Sequence, residues 1–179
     1  TPAAAHPLHG AGFAAGWVHP LLGLDHLLAM LAVGLWAAQL GGRWLWAAPL
    51  AFISGMLAGG LLGLGAITMP LTSAAIDPVI AASVLMLGLV IAANVRASAS
   101  LRAAGTGLIA LFAVFHGVVH AAEVPGQLAA AAYVAGFVFA TAALLALGMA
   151  AGLGVRPKAV RVAGVPIALA GAWLMVVAS

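Results

Sequence analysis

Apolar residues run almost unbroken through this chain, and charged residues interrupt them only at long intervals. Between Arg43 and Asp77 lie 33 uncharged residues, between Asp77 and Arg96 lie 18, and between Arg102 and Glu123 lie 20. A further 32 separate Glu123 from Arg156, and 18 follow Arg161. A helix that crosses a bilayer needs about 20 mostly apolar residues. The pattern therefore predicts six helices, near residues 20–40, 44–66, 77–95, 102–122, 128–152 and 163–178. Breakers mark the joins: Gly41-Gly42, the run from Thr68 to Ser73 around Pro70, Pro125-Gly126, and Gly154 to Pro157. No long polar linker divides the chain, so residues 1–179 read as a single transmembrane domain, with 1–19 as an outer N-terminal segment.

Composition narrows the class. Hydrophobic residues make up 66% of the chain and charged residues 5%, against roughly 45–50% and about 25% in a soluble domain. Three acids and six bases cannot solvate a surface of this size, which excludes a soluble enzyme and a disordered chain. The pI near 10.8 does not argue for nucleic acid, because the net charge is only +3 and is not clustered on one solvated face. The expected fold class is all-α, a polytopic membrane protein. There is no cysteine, so any bound metal must be held by His, carboxylate, backbone oxygen or Met.

The basic residues set an orientation. Arg43 lies between the first and second helices, Arg96 and Arg102 flank the join of the third and fourth, and Arg156, Lys158 and Arg161 lie between the fifth and sixth. All fall on one side, which the positive-inside rule makes cytoplasmic. The topology expected is N-out and C-out, in a bacterial inner membrane. Ala3-Ala4-Ala5 before His6 has the small-residue form of a cleavage site, so a removed signal peptide is expected. Gly55, Gly59 and Gly63, and also Gly148 and Gly152, recur at four-residue spacing, which lets helix backbones approach closely in lipid. This packing could lie within or between protomers, which leaves a homo-oligomer open.

Against this background two polar clusters stand out. The first is His19-Pro20-Leu21-Leu22-Gly23-Leu24-Asp25-His26. Pro20 suits the first turn of a helix, which puts Asp25 and His26 one to two turns inside the first span and leaves His19 to fold back from the preceding segment. The second runs from Phe115 to Glu123, FHGVVHAAE, and places His116, His120 and Glu123 on one face of the fourth helix. The first helix starts outside and the fourth ends outside, so both clusters fall at similar depth on the same side. His19, Asp25, His26, His116, His120 and Glu123 together form a candidate site of N and O ligands for a divalent cation. An intramembrane carboxylate is costly unless paired, although Asp25 could instead orient a ligating histidine from behind. His6 and His9 in the outer tail, and Asp77 at the start of the third helix, are weaker candidates; Asp77 also fits as a plain charge favoured by the helix dipole. Ser54, Ser83, Thr106 and Thr141 can return hydrogen bonds to backbone carbonyls and suggest no function.

These clusters resemble the signatures of the HupE/UreJ family of bacterial nickel permeases. HPLLGLDHLLAMLAVGLWAAQLGG, from His19 to Gly42, and FHGVVHAAEVPG, from Phe115 to Gly126, carry the likeness, which extends over roughly residues 6 to 178. The family usually has Ala and Gly where this chain has Val119 and Ala121, and Glu where it has Asp77. The resemblance implies uptake of Ni²⁺, with Co²⁺ as a second substrate, from periplasm to cytoplasm. It places His19, Asp25 and His26 in the first motif and His116, His120 and Glu123 in the second. It implies no enzyme activity and no organic cofactor. The expected partners are a divalent metal ion and the lipid bilayer, with no nucleic acid.

Ligand chemistry alone also admits Zn²⁺ or Cu²⁺. Two other functions remain open to the residues. One is an intramembrane metallohydrolase with a metal-activated water, although an HExxH helix is missing. The other is a haem-binding electron carrier with histidines from two helices, to which the neighbouring carboxylates are less suited.

Overall fold

The structure, a computed structural model, describes residues 12–64, 73–94, 98–121 and 127–178. Seven helices account for nearly all of them: α1 (Phe13–Leu22), α2 (Leu24–Leu40), α3 (Trp44–Leu64), α4 (Ser73–Ala93), α5 (Ala99–Ala121), α6 (Gln127–Gly154) and α7 (Pro157–Val177). Helices α3 to α7 are each long and apolar enough to cross a membrane. Helices α1 and α2 meet that test only as a pair, bent by 85° at their junction. The bundle therefore has five spans, or six if the bent pair counts as one.

The bent pair is the main departure from the sequence expectation. A single helix over 20–40 with Pro20 in its first turn is replaced by two helices. Pro20 lies inside α1, the preceding residues 13–19 are helical, and the break falls three residues later at Gly23, whose backbone is extended. A proline lacks the N–H that its turn needs, but here only Leu21 and Leu22 follow before the helix ends. The other bounds shift by a few residues. Helix α4 starts at Ser73 rather than at Asp77, α5 at Ala99 rather than 102, and α7 at Pro157 rather than 163. Pro157 thus opens α7 after Arg156, as its fixed φ favours, rather than separating two helices at a distance. Consequently Arg102, Lys158 and Arg161 stand on helices and not in loops.

Helix α2 forms the axis of the bundle. It packs against α3, α4, α6 and α7, and its Ala29, Met30, Ala32, Val33 and Ala37 have no exposed surface. Around it the other helices associate in pairs, α3 with α5, α4 with α7, and α1 with α6. Small residues make those pairings close. A side chain at Gly59 would overlap the backbone of Val114, and one at Gly117 would overlap the backbone of Met56 and Gly60, so α3 and α5 touch along their main chains. Gly148 meets Leu31 and Gly34 of α2 in the same way, and Gly152 faces Ala38. The glycine spacing seen in the sequence thus serves packing within the chain. Large apolar side chains such as Leu61, Phe139, Leu169 and Val176 point outward. An apolar exterior around an apolar core is the arrangement of a helix bundle in lipid.

One end of the bundle collects the described basic residues. Gly41 and Gly42, both at positive φ, turn the chain from α2 into α3, and Gly41 N–H closes α2 on Ala37 O. Arg43 lies 4.7 Å from the Trp44 ring. Arg102 Nη1 donates to Leu40 O at 3.1 Å, and Arg161 Nε donates to Ala92 O at 3.3 Å. The guanidiniums of Arg102 and Arg161 thus each meet a carbonyl near a helix C-terminus, where their charge is favoured. Arg96 is outside the described residues. Ser83 and Thr106 do return hydrogen bonds to Ile80 O and Arg102 O, as expected from the sequence. Buried Thr141 has no hydrogen-bond partner for its hydroxyl, and Ser54 is exposed.

Candidate metal centre

At the opposite end, four histidines from three helices meet. His19 comes from α1, His26 from α2, and His116 and His120 from α5. The 85° bend makes this possible, because it turns α1 back over the start of α2 and sets the His19 and His26 rings 6.2 Å apart. The α5 pair follows from helical spacing: residues four apart lie on one face, and His116 and His120 are both buried. Their rings lie 5.4 Å and 4.2 Å from that of His26, respectively.

Hydrogen bonds link most of the cluster into one chain. Asp25 Oδ1 lies 2.7 Å from His26 Nδ1. A carboxylate only accepts, so His26 carries its proton on Nδ1 and presents a lone pair at Nε2. That nitrogen meets His120 Nε2. For the pair to bond, His120 Nε2–H must donate, leaving His120 Nδ1 to accept from His19 Nε2–H at 3.1 Å. The tautomers are assigned from this network, which runs from His19 through His120 and His26 to Asp25. His116 stands beside it. Its Nδ1 donates to Phe112 O, one turn back on α5, at 3.1 Å. Its Nε2 is thereby left as an acceptor, buried and without a hydrogen-bond partner among the described residues. A buried acceptor with no partner is costly.

Aromatic side chains wall the cluster. Phe52 of α3 lies 5.9 Å from the His116 ring, Phe137 of α6 lies 5.1 Å from that of His120, and Tyr133 of α6 lies 5.9 Å from that of His19. Sequence reasoning missed these three. For Tyr133 a signal was available, since it is the only tyrosine in the chain. Gly23 was also missed as a functional position. A side chain there would stand 2.6 Å from His26 Nδ1 and 2.9 Å from Asp25 Oδ1, against the bond between them.

The other sequence candidates fare differently. Asp77 lies in the second turn of α4 and is exposed, not at a helix start as expected. His6, His9 and Glu123 are outside the described residues. Among the described residues, no three His, Asp or Glu side chains form a ready-made metal site. The ring nitrogens are instead turned onto one another.

What the arrangement offers chemically is a set of imidazoles, one of them oriented by a carboxylate, beside an aromatic wall. Moving the His120 proton from Nε2 to Nδ1, with His19 Nε2 turned acceptor, would leave lone pairs on both His26 Nε2 and His120 Nε2 and put two nitrogen ligands on one cation. A carboxylate behind a ligating imidazole is the usual support for such a ligand.

Known proteins resemble this chain along nearly its whole length. A family profile described as "HupE / UreJ protein" matches residues 1–174. The chain is 44% identical to the protein named HupE from Rhizobium leguminosarum bv. viciae over 182 residues, covering 98% of this chain and 92% of that one. No solved structure matches. With a match along almost its whole length and a relative this similar end to end, the chain belongs to the HupE / UreJ family.

Proposed function

We propose that this protein is a permease that moves Ni²⁺, with Co²⁺ as an alternative substrate, from the periplasm to the cytoplasm across a bacterial inner membrane. The observation that carries this reading is the meeting of His26 Nε2 and His120 Nε2, with Asp25 holding the His26 proton on the far side of the ring. Borderline divalent ions favour imidazole ligands, and the resemblance noted above points to nickel among them. His19, His116 and Glu123 complete the proposed ligand set, and Asp25 acts through His26.

Orientation supports the direction. The described bases gather at the end opposite the histidines, and bases mark the cytoplasmic side. On this reading the histidine cluster faces outward and the bundle is N-out, C-out, with the bent pair counted as one span. Binding requires neutral imidazoles and an ionised carboxylate. Protonation of an imidazole to its cationic form removes the ligating lone pair, so protons that reach the cluster favour release of the ion. The aromatic wall and α1 shield the site from bulk water, which strengthens the ligand bonds once the ion has shed its hydration shell.

The test is metal accumulation in cells that lack other nickel uptake systems. Cells making this protein are expected to accumulate Ni²⁺, and cells making His26→Ala or His120→Ala at equal membrane abundance are expected to show only background. Accumulation unchanged by both substitutions would reject the assigned site.

A further inference from the structure

A transporter needs a way out as well as a binding site, and the basic end of the bundle holds a second feature. A cavity of about 390 Å³ lies between α2, α4 and α5, lined by Trp36, Gln39, Asn94, Arg102 and apolar neighbours including Leu108. It arises because side chains, more than main chains, bridge α2 and α5. His26 meets His116 and His120 at one end, and Arg102 meets Leu40 O at the other. Between these points the indole of Trp36 crosses to α5. Its ring atoms stand 2.8 Å and 3.1 Å from where a side chain at Gly105 would begin, so only glycine leaves room for it.

From the cavity toward the histidines the bundle closes completely. Met30, Val33 and Ala113 have no exposed surface and Ile109 is 4% exposed. The hydroxyl of nearby Thr106 is tied to Arg102 O. From Leu108 to His116 this dry section spans eight residues of α5, or about 12 Å at 1.5 Å per residue.

Resting on the transport reading, we propose that the cavity is the water-filled inner mouth of the ion path, and that Trp36 is the side chain that closes it off from the histidine cluster. Its chemistry suits release. Conduction requires a site weak enough to leave, and the amide oxygens of Gln39 and Asn94 are weaker ligands for a borderline ion than imidazole. The Arg102 guanidinium adds repulsion toward any cation in the mouth. A mouth filled by a lipid chain is the competing occupant, since most of the lining is apolar.

The chain has no cysteine, so single-cysteine variants report without background. In inside-out vesicles, Ala104→Cys in the cavity is expected to react with a charged, membrane-impermeant methanethiosulfonate at least tenfold faster than Leu169→Cys on the outer surface of α7. Val33→Cys is expected to stay unreactive, and to become reactive when Trp36→Ala is added. Trp36→Leu serves as a second, milder opening. Reaction of Ala104→Cys with a lipid-soluble maleimide but not with the charged reagent would overturn the proposal in favour of lipid. Equal reactivity of Val33→Cys with and without Trp36 would overturn the closing role. Nickel uptake is measured on the same variants. Intact uptake without labelling at Ala104→Cys rejects the mouth alone, whereas no uptake by the parent protein rejects the transport reading itself.

Discussion

Replacing Asp25 by Asn separates two roles for this carboxylate, ligand or orienter of a ligand. Asp25 Oδ1 is 2.7 Å from His26 Nδ1, and the histidine is nearly enclosed. Hydrogen bonds to an ionised partner are roughly twice as strong as neutral ones. Asn has the same shape but no charge. Its amide can also turn its NH₂ toward Nδ1, which moves the ring proton to Nε2 and blocks the nitrogen that meets His120. Loss of such a supporting group typically weakens metal affinity by about 10–100-fold, equivalent to about 1.4–2.8 kcal/mol. The assay is isothermal titration of Ni²⁺ into the detergent-purified protein, with His26→Ala as the reference for a lost ligand. The expected Kd for Asp25→Asn lies between those of the parent and of His26→Ala. A Kd within about twofold of the parent would refute the orienting role. A loss as large as that of His26→Ala would instead make Asp25 a direct ligand.

Other outcomes follow from the same geometry. Gly23→Ala keeps an allowed backbone but pushes against the Asp25–His26 bond, so Ni²⁺ affinity is expected to fall several-fold with thermal stability nearly unchanged; unaltered affinity would count against the crowding. Gly117→Leu forces α5 away from the α3 backbone and is expected to lower stability by about 1–3 kcal/mol, the usual cost of overpacking, read as an earlier thermal unfolding in detergent. Because protons compete with the metal for imidazole nitrogens, Ni²⁺ affinity is expected to fall on acidification, read by repeating the titration across a pH series. An affinity that instead rises as the solution is acidified would exclude histidine ligation.

Much of this arrangement was legible in the sequence because membrane chains write their constraints in plain form. Long uncharged runs between Arg43, Asp77, Arg102, Glu123 and Arg156 gave the long helices, and the alternation of bases foretold the basic end. The i, i+4 spacing of His116 and His120 located a buried polar face on α5, and their partnership with His26 followed from helix direction. What could not be read was the break at Gly23. Pro20 by itself favours the first turn of a helix, and nothing in the local sequence shows that it sits instead in the last turn of α1, where its missing N–H costs a bond. The aromatic wall was hidden for a similar reason. Phe52 and Phe137 look like any other apolar positions until α3 and α6 are docked, and Tyr133 stands apart only as the single tyrosine of the chain. Trp36 depends on Gly105, a pairing across 69 positions that no local pattern announces.

The unequal helix lengths have a consequence at the histidine end. Helix α2 has 17 residues, α3 has 21 and α6 has 28, which are about 25, 31 and 42 Å long. Near the basic end α2 and α6 are level, since Gly152 lies against Ala38. The whole difference between α2 and α6 therefore appears at the histidine end, where α6 runs on past the start of α2, whereas α5 stops almost level with it, His120 meeting His26 one residue before the α5 end. The overhanging stretch of α6 is where α1 packs, Gly16 against Tyr133 and Gly136 against Phe13. Shortness that would strain a lipid-facing helix costs little here, because α2 is surrounded by protein. Instead it leaves room for α1 to lie against α6 at the histidine end, so that the turn carrying His26 is roofed by the chain itself rather than by lipid.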